Sequence, residues 1–136
     1  MSDDGRPRDA RIPEAKRQIF DELTDSSDSP FNGWESNELF VFAAAYGFDQ
    51  GLRTELDDSG HALFQWPQLD DSQDWILRSI AVKEEANPDV LDDGQAIDLI
   101  SREYANGGIE RLYELYVGTG DLFTKLTDDV MDLADI

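Results

Sequence analysis

The chain has 136 residues, of which 40% are hydrophobic, and a formal net charge of −20 at pH 7. A chain of this length buries about two thirds of its unfolded surface, so we expect one domain with one core. It contains no cysteine, which excludes disulfides, thiolate metal sites and cysteine nucleophiles. The polar start lacks the apolar segment of a secretory signal, and no apolar run approaches the roughly 20 residues of a membrane span. We therefore expect a cytoplasmic protein.

Acidic residues are spread along the whole chain rather than gathered in one tail. There are 31 acidic residues against 11 lysines and arginines. This composition is typical of proteins adapted to high salt, because the Debye length falls to about 3 Å at 1 M ionic strength and like charges no longer repel strongly. The alternative is an acidic surface that mimics the phosphates of DNA, which requires the acids to concentrate on one face.

The first residues of the chain are polar and lack periodicity. We expect residues 1–11 to be a disordered arm and residues 12–136 to be a single globular helical domain. Five of the eleven cationic residues lie between positions 6 and 17. One interpretation is a nucleic-acid contact, and the other is a solvated tail, since acids interrupt the positive charge. The candidate nucleic-acid contacts are Arg6, Arg8, Arg11, Arg17 and Arg53.

Residues 37–47 are the one run of this length that is apolar on every side. This pattern predicts a helix buried in the core, because no polar stripe is left to face water. Ser36 or Asn37 can cap its start. Gly47 is suited to the left-handed position after its last turn.

Helical spacing of apolar residues predicts further helices around this central one. They are expected from Pro13 to Leu23, from Asp70 to Asn87, from Val90 or Asp92 to Asn106, from Ile109 to Tyr116 and from Leu122 to Leu133. Asn106-Gly107-Gly108 should end one helix and reverse the chain. A turn at Asp57-Asp58-Ser59-Gly60 predicts a β-hairpin over about residues 52–66. The predicted fold is mainly α, a single compact domain of about six helices around residues 37–47 with this small β-hairpin.

The sequence shows no motif for catalysis or cofactor binding. His61 is the one histidine, and spacing supplies it with neither a partner acid nor a nucleophile. Acid pairs are so frequent that none stands out as an acid–base dyad. Asp57–Gly60 and Asp89–Gly94 lack the oxygen spacing of a calcium loop, and Gly118-Thr119-Gly120 lacks the third glycine of a dinucleotide site. We expect no cofactor, no specific metal site and no enzymatic activity.

Four stretches, read together, resemble a known family. They are residues 37–48 with Gly51-Leu52-Arg53, then Phe64-Gln65-Trp66, Ile80-Ala81-Val82 and, above all, residues 103–110. Over roughly Pro13 to Leu115 the sequence resembles the small proteins called Dnd system-associated protein 4. The resemblance implies an accessory protein found beside DNA phosphorothioation genes, where sulfur replaces a non-bridging backbone oxygen and a companion module restricts unmodified DNA. This chain departs from the family in being more acidic, especially around Asp57-Asp58.

Two functional hypotheses follow. In the first, the chain is a non-enzymatic adaptor of a phosphorothioation-dependent restriction system, an antiviral defence, and it contacts other proteins of that system. In the second, it is a DNA-binding or DNA-mimicking regulatory subunit of the same system; the net charge of −20 would repel DNA. A metal-dependent nuclease built on clustered acids is a distant third. The membrane is not an expected partner, and the oligomeric state stays open.

The adaptor hypothesis predicts a contact surface at the expected reversal between two helices. The candidate interface residues are Tyr104, Asn106, Gly107, Gly108, Tyr113 and Tyr116. Trp34, Trp66 and Trp75 join them wherever they are exposed. Aromatic side chains are favoured because they are frequent anchors of protein interfaces.

Overall fold

The computed structural model describes residues 5–58 and 60–119. In chain order they form β1 (Asp9–Ile12), α1 (Glu14–Asp25), α2 (Ser36–Gln50), β2 (His61–Gln65), α3 (Asp71–Glu85) and α4 (Gly94–Thr119). Two 3-10 segments, Trp66–Gln68 and Pro88–Asp92, precede α3 and α4. The protein is mainly helical with one small antiparallel sheet, as the sequence predicts.

The number of helices differs from the prediction. The described residues contain four α-helices rather than about six. One reason is that two predicted helices are joined into α4. The predicted helix from Leu122 to Leu133 lies outside the described residues. No helix in the described part of the chain is long and apolar enough to cross a membrane.

The central helix α2 is confirmed. It contacts α1, α3, α4 and β2, so neighbours surround it. Its fully buried side chains include Leu39, Phe40, Ala43 and Ala44. A helix with no polar stripe is stable in water only when it is covered in this way.

The ends of α2 are set by residues other than those predicted. Glu35 occupies the N-cap, and its backbone N–H donates to Oε1 of Glu38 at 2.8 Å. At the other end Gly51 is the left-handed residue, with φ of 68°. The prediction of Gly47 for that position is wrong, because Gly47 lies inside the helix.

The glycine at position 47 is needed where α2 passes α4. A Cβ on Gly47 would lie 2.2 Å from the carbonyl oxygen of Tyr104, and a Cβ on Gly108 would lie 2.0 Å from that of Ala43. Only a hydrogen fits at either position. The two helix backbones are therefore in direct contact, in an antiparallel sense.

The predicted reversal at Asn106-Gly107-Gly108 is wrong. α4 continues through these residues without interruption. Gly107 faces the loop after α2, and a Cβ there would lie 1.7 Å from the carbonyl oxygen of Leu52. Each interior glycine costs a helix about 1 kcal/mol, and the close backbone contacts on two sides of α4 offset this cost.

The predicted β-hairpin is half correct. Its second strand exists as β2, but β2 pairs antiparallel with β1, with Ala10 opposite Phe64 and Ile12 opposite His61. Residues 52–56 form no strand. They lie against α4 instead, where the backbone N–H of Thr54 donates to the carbonyl oxygen of Glu103 at 3.1 Å.

The predicted disordered arm is wrong for its last residues, because Asp9 to Arg11 belong to β1. Ala10 and Ile12 are fully buried while the two residues between and before them face outward in part. This alternation is the strand period, but four residues are too few for it to be recognised. Met1–Asp4 lie outside the described residues.

The close contact between α2 and α4 leads to a testable prediction, and a second glycine of α4 provides the control. In an ordinary helix interior Gly→Ala stabilises by about 1 kcal/mol. Gly108→Ala should instead lower the free energy of unfolding by about 2–3 kcal/mol, because the added methyl group collides with the backbone of α2. Chemical denaturation measures the change.

Gly118→Ala is the matched control, since Gly118 lies in the same helix and its Cβ would meet no atom within 4 Å. This variant should be as stable as the wild type or up to about 1 kcal/mol more stable. Equal effects of the two substitutions would show that the helices do not touch at Gly108.

Candidate interaction surface

Four of the six predicted interface residues are buried, and Tyr104, at 6% exposure, is one of them. Asn106 is 1% exposed, and Gly107 and Gly108 are buried. The Asn106 amide Nδ2 donates to the carbonyl oxygens of Thr54 at 3.3 Å and Glu55 at 3.1 Å. These residues hold the loop after α2 against α4, so they are not available to a partner.

Two of the predicted tyrosines, Tyr113 and Tyr116, connect α4 to other parts of the protein. The Tyr113 hydroxyl donates to Oε1 of Glu22 at 3.2 Å, and the Tyr116 hydroxyl donates to Oδ1 of Asp28 at 2.5 Å. Each of these hydrogen bonds to a carboxylate raises the pKa of the tyrosine that donates it. Both rings are half-buried, and their hydrogen bonds connect α4 with α1 and with the loop that follows α1.

Tyr104 belongs to a cluster of charged groups that joins three segments. It is 6% exposed, and its hydroxyl donates to Oε1 of Glu84 on α3 at 2.6 Å. Arg53 donates from Nη1 to Oε2 of Glu84 at 2.5 Å and from Nε to Oε1 of Glu103 at 2.7 Å. Burial and the bond to Glu84 raise the pKa of Tyr104 to about 12. The cluster connects the loop after α2 with α3 and α4.

Of the predicted nucleic-acid contacts, Arg6, Arg11 and Arg53 bind groups of the protein itself. Arg6 is 5% exposed at its side chain, pairs with Asp74 at 2.6 Å and lies over the ring of Trp66 at 5.0 Å. Arg11 donates to the carbonyl oxygen of Gly60 at 2.7 Å. Arg8 and Arg17 are exposed and form no ion pair with another described residue.

His61 is placed at the start of β2. Its Nε2 lies 3.2 Å from Oε1 of Glu14; the His61 side chain is about half exposed and that of Glu14 is largely exposed. Within residues 5–58 and 60–119, no group of three or more acidic or histidine side chains is arranged to hold a metal ion. The histidine thus lies at the protein surface beside α1.

The three tryptophans differ in exposure. Trp66 is 5% exposed and donates from Nε1 to Oδ1 of Asp98 at 2.9 Å. Trp34 is 37% exposed and packs edge-on against Phe31 and Phe42. Trp75 is 59% exposed, so it is the tryptophan most available to a partner.

Trp75 lies in an apolar groove between α2 and α3, with a volume of about 720 Å³. The groove is lined by Ala45, Phe48 and Asp49 of α2 and by Ser72, Trp75, Ile76, Ser79, Ile80 and Lys83 of α3. Ile76 is 43% exposed. Full burial of a large apolar side chain stabilises by about 1.5–3 kcal/mol, and Trp75 and Ile76 lack roughly half of this gain here. Adjacent exposed apolar residues on a charged surface are typical of binding sites.

The sequence indicates that α3 has an exposed apolar residue, although the helical spacing of its other apolar residues makes this easy to miss. Trp75, Ile76 and Leu77 are consecutive and all apolar, but successive residues of a helix are turned by about 100°. Trp75 therefore points about 200° away from Leu77, which is fully buried. A helix with one buried face cannot cover all three, so an apolar residue had to remain outside.

The charged cluster generates a pH-dependent prediction. The hydrogen bond from Tyr104, and then the contact with Arg53, lower the pKa of Glu84. A carboxyl with a lowered folded-state pKa contributes stability above its unfolded value of about 4.3 and loses it as the pH falls through the folded value. Glu84→Gln should lower the free energy of unfolding by about 1 kcal/mol at pH 7, and the difference from wild type should shrink below about pH 4.

Urea denaturation between pH 3 and 7 measures this difference. Glu85→Gln is the control, because Glu85 is exposed and forms no ion pair with a described residue. A constant difference between Glu84→Gln and wild type across this range would contradict the assignment.

Comparison with known proteins bears out the resemblance. The sequence profile of a family described as DNA sulphur modification system-associated protein 4 matches residues 9–133. Searches of curated proteins and of solved structures found no significant match. The matched range contains both strands, all four helices, the α2–α4 crossing and the groove. The family is associated by its description with a DNA sulphur modification (Dnd) system. The chain belongs to the DNA sulphur modification system-associated protein 4 family.

Proposed function

We propose that the protein is a non-enzymatic adaptor of a DNA phosphorothioation-linked restriction system, and that it binds another protein of that system through the groove between α2 and α3. The observation that carries the proposal is the exposed pair Trp75 and Ile76 at this groove. Membership of the family supplies the system in which the partner is sought.

Trp75 is the residue expected to contribute most to the binding free energy. Tryptophan is enriched among the few residues that dominate binding energy, and such residues lie in pockets that a partner closes to water. More than half of the Trp75 side chain is open to solvent, while the groove beside it is lined mainly by apolar groups. A partner that covered Trp75 would gain the free energy of apolar burial that is not realised in the isolated chain.

The non-enzymatic role is supported by how two neighbouring carboxylates are used. Glu84 and Glu103 both bind Arg53, which offsets part of their charge within the fold. Direct DNA binding is the less favoured alternative. Three of its five candidate arginines bind groups of the protein, and the net charge of −20 repels a polyanion.

Affinity purification of the tagged protein from its host tests the proposal. The lysate is kept at high salt and divided into portions with and without nuclease, and co-purifying proteins are identified by mass spectrometry. Modification or restriction proteins of the Dnd system should be recovered equally from both portions. Recovery of nucleic acid alone, or loss of the partners with nuclease, would overturn the adaptor function.

Trp75→Glu tests whether the groove is the contact surface. A dominant interface residue contributes about 2 kcal/mol or more, so the variant should bind the partner about 30-fold more weakly and recover less of it. Val117→Glu is the matched control, because Val117 is 61% exposed on α4 and does not line the groove. If both variants retain the partner, the adaptor function stands and the groove is not its surface.

A further inference from the structure

The groove also restricts the chemistry of what can bind there. Resting on the adaptor function above, we infer that its occupant is a basic amphipathic helix of the partner protein, with an apolar face that enters the groove and lysines or arginines along its edges.

The shape of the groove suits a helix. Its walls are two helices, and its lining on α3 runs from Ser72 to Lys83. At 1.5 Å per residue this stretch is about 17 Å long, which equals about three turns of a third helix. Side chains of one helix pack between those of its neighbours, and an apolar groove between helices is a common acceptor of an amphipathic helix.

The size of the side chains agrees with this fit. Ala45, Ser72 and Ser79 are small, so they leave space between the helix backbones. Trp75 and Ile76 project beside this space and remain exposed. An entering helix with apolar residues at three- and four-residue spacing would cover both of them.

The charges around the groove determine which charged residues the occupant should carry. Asp49 lines the groove, and Asp71 lies at its edge, one helical turn before Trp75 on α3. Neither carboxylate forms an ion pair with another described residue. Lys83 is the one cation among the described lining residues. These two acids, on a chain of net charge −20, attract a cationic partner and speed its association.

The same charges argue against a second copy of the chain as the occupant. A two-fold interface places the same patch against itself. Asp49 and Asp71 would then lie close to their own counterparts, and each chain would bring a charge of −20. A basic helix meets no such repulsion.

Site-specific photocrosslinking in the host tests the inference. Benzoylphenylalanine replaces Ile76 in the full chain, and the crosslinked peptide is sequenced by mass spectrometry. The control carries the same group at Leu99, which has nearly the same exposure, 42% against 43%, and does not line the groove. Position 76 should crosslink to a segment of a Dnd-system protein that is rich in lysine or arginine and has apolar residues at helical spacing, and position 99 should not.

The other results of this experiment overturn the inference. They are a crosslink to a second copy of the chain, a crosslink to an acidic or non-periodic segment, the same crosslinks from position 99, and no crosslink from position 76. Failure of the adaptor function is recognised separately, because the wild-type affinity purification would then recover no component of the system. Recovered partners without a crosslink at position 76 refute only the basic helix in the groove.

Charge substitutions give a second readout, with the crosslinked segment as a synthetic peptide. A surface ion pair changes affinity by about 1.4- to 5-fold. Asp49→Asn and Asp71→Asn should each weaken peptide binding by about this factor, while Lys83→Gln should strengthen it. The effects should diminish as salt is added. Opposite signs would show that the edges of the bound helix are acidic.

Discussion

The direct contact between the backbones of α2 and α4 is the constraint on which the rest of the structure depends. Gly47 and Gly108 bring these helices within a distance that no larger residue permits. The same register presents Gly107 and Asn106 to the loop after α2 and keeps that loop on the surface of α4. Arg53 follows in this loop, so its contacts with α3 and α4 also depend on the crossing.

Three tyrosine hydroxyls connect separate parts of the fold. The hydroxyls of Tyr104, Tyr113 and Tyr116 each donate to a carboxylate on another element. A chain with 31 acidic residues has many such acceptors, and an aromatic ring with a polar tip can be packed while its hydroxyl is satisfied. The tyrosines therefore stabilise the arrangement of helices.

The groove follows from the two faces of α3. Leu77 and Ala81 are fully buried in the core, whereas Trp75 and Ile76 lie on a different side of the helix. α2 covers only one edge of that side, through Ala45 and Phe48. The lining is mainly apolar and includes Asp49 and Lys83. A cationic partner, as proposed, would combine long-range attraction to a chain of net charge −20 with short-range apolar burial. This combination connects the acidity of the chain with its proposed role.

The sequence alone determined the central helix, the mainly helical class and the family, because an all-round apolar run and the four quoted stretches are local signals. Tertiary structure decided the rest. Asn106-Gly107-Gly108 reads equally as a helix end or as a close-packing site, and only the neighbouring backbone of α2 and its loop distinguishes them. β1 and β2 are separated by 48 residues, from Ile12 to His61, so their pairing has no local turn signal. The exposure of Trp75 depends on which side of α3 its neighbours cover, and a sequence pattern does not contain that information.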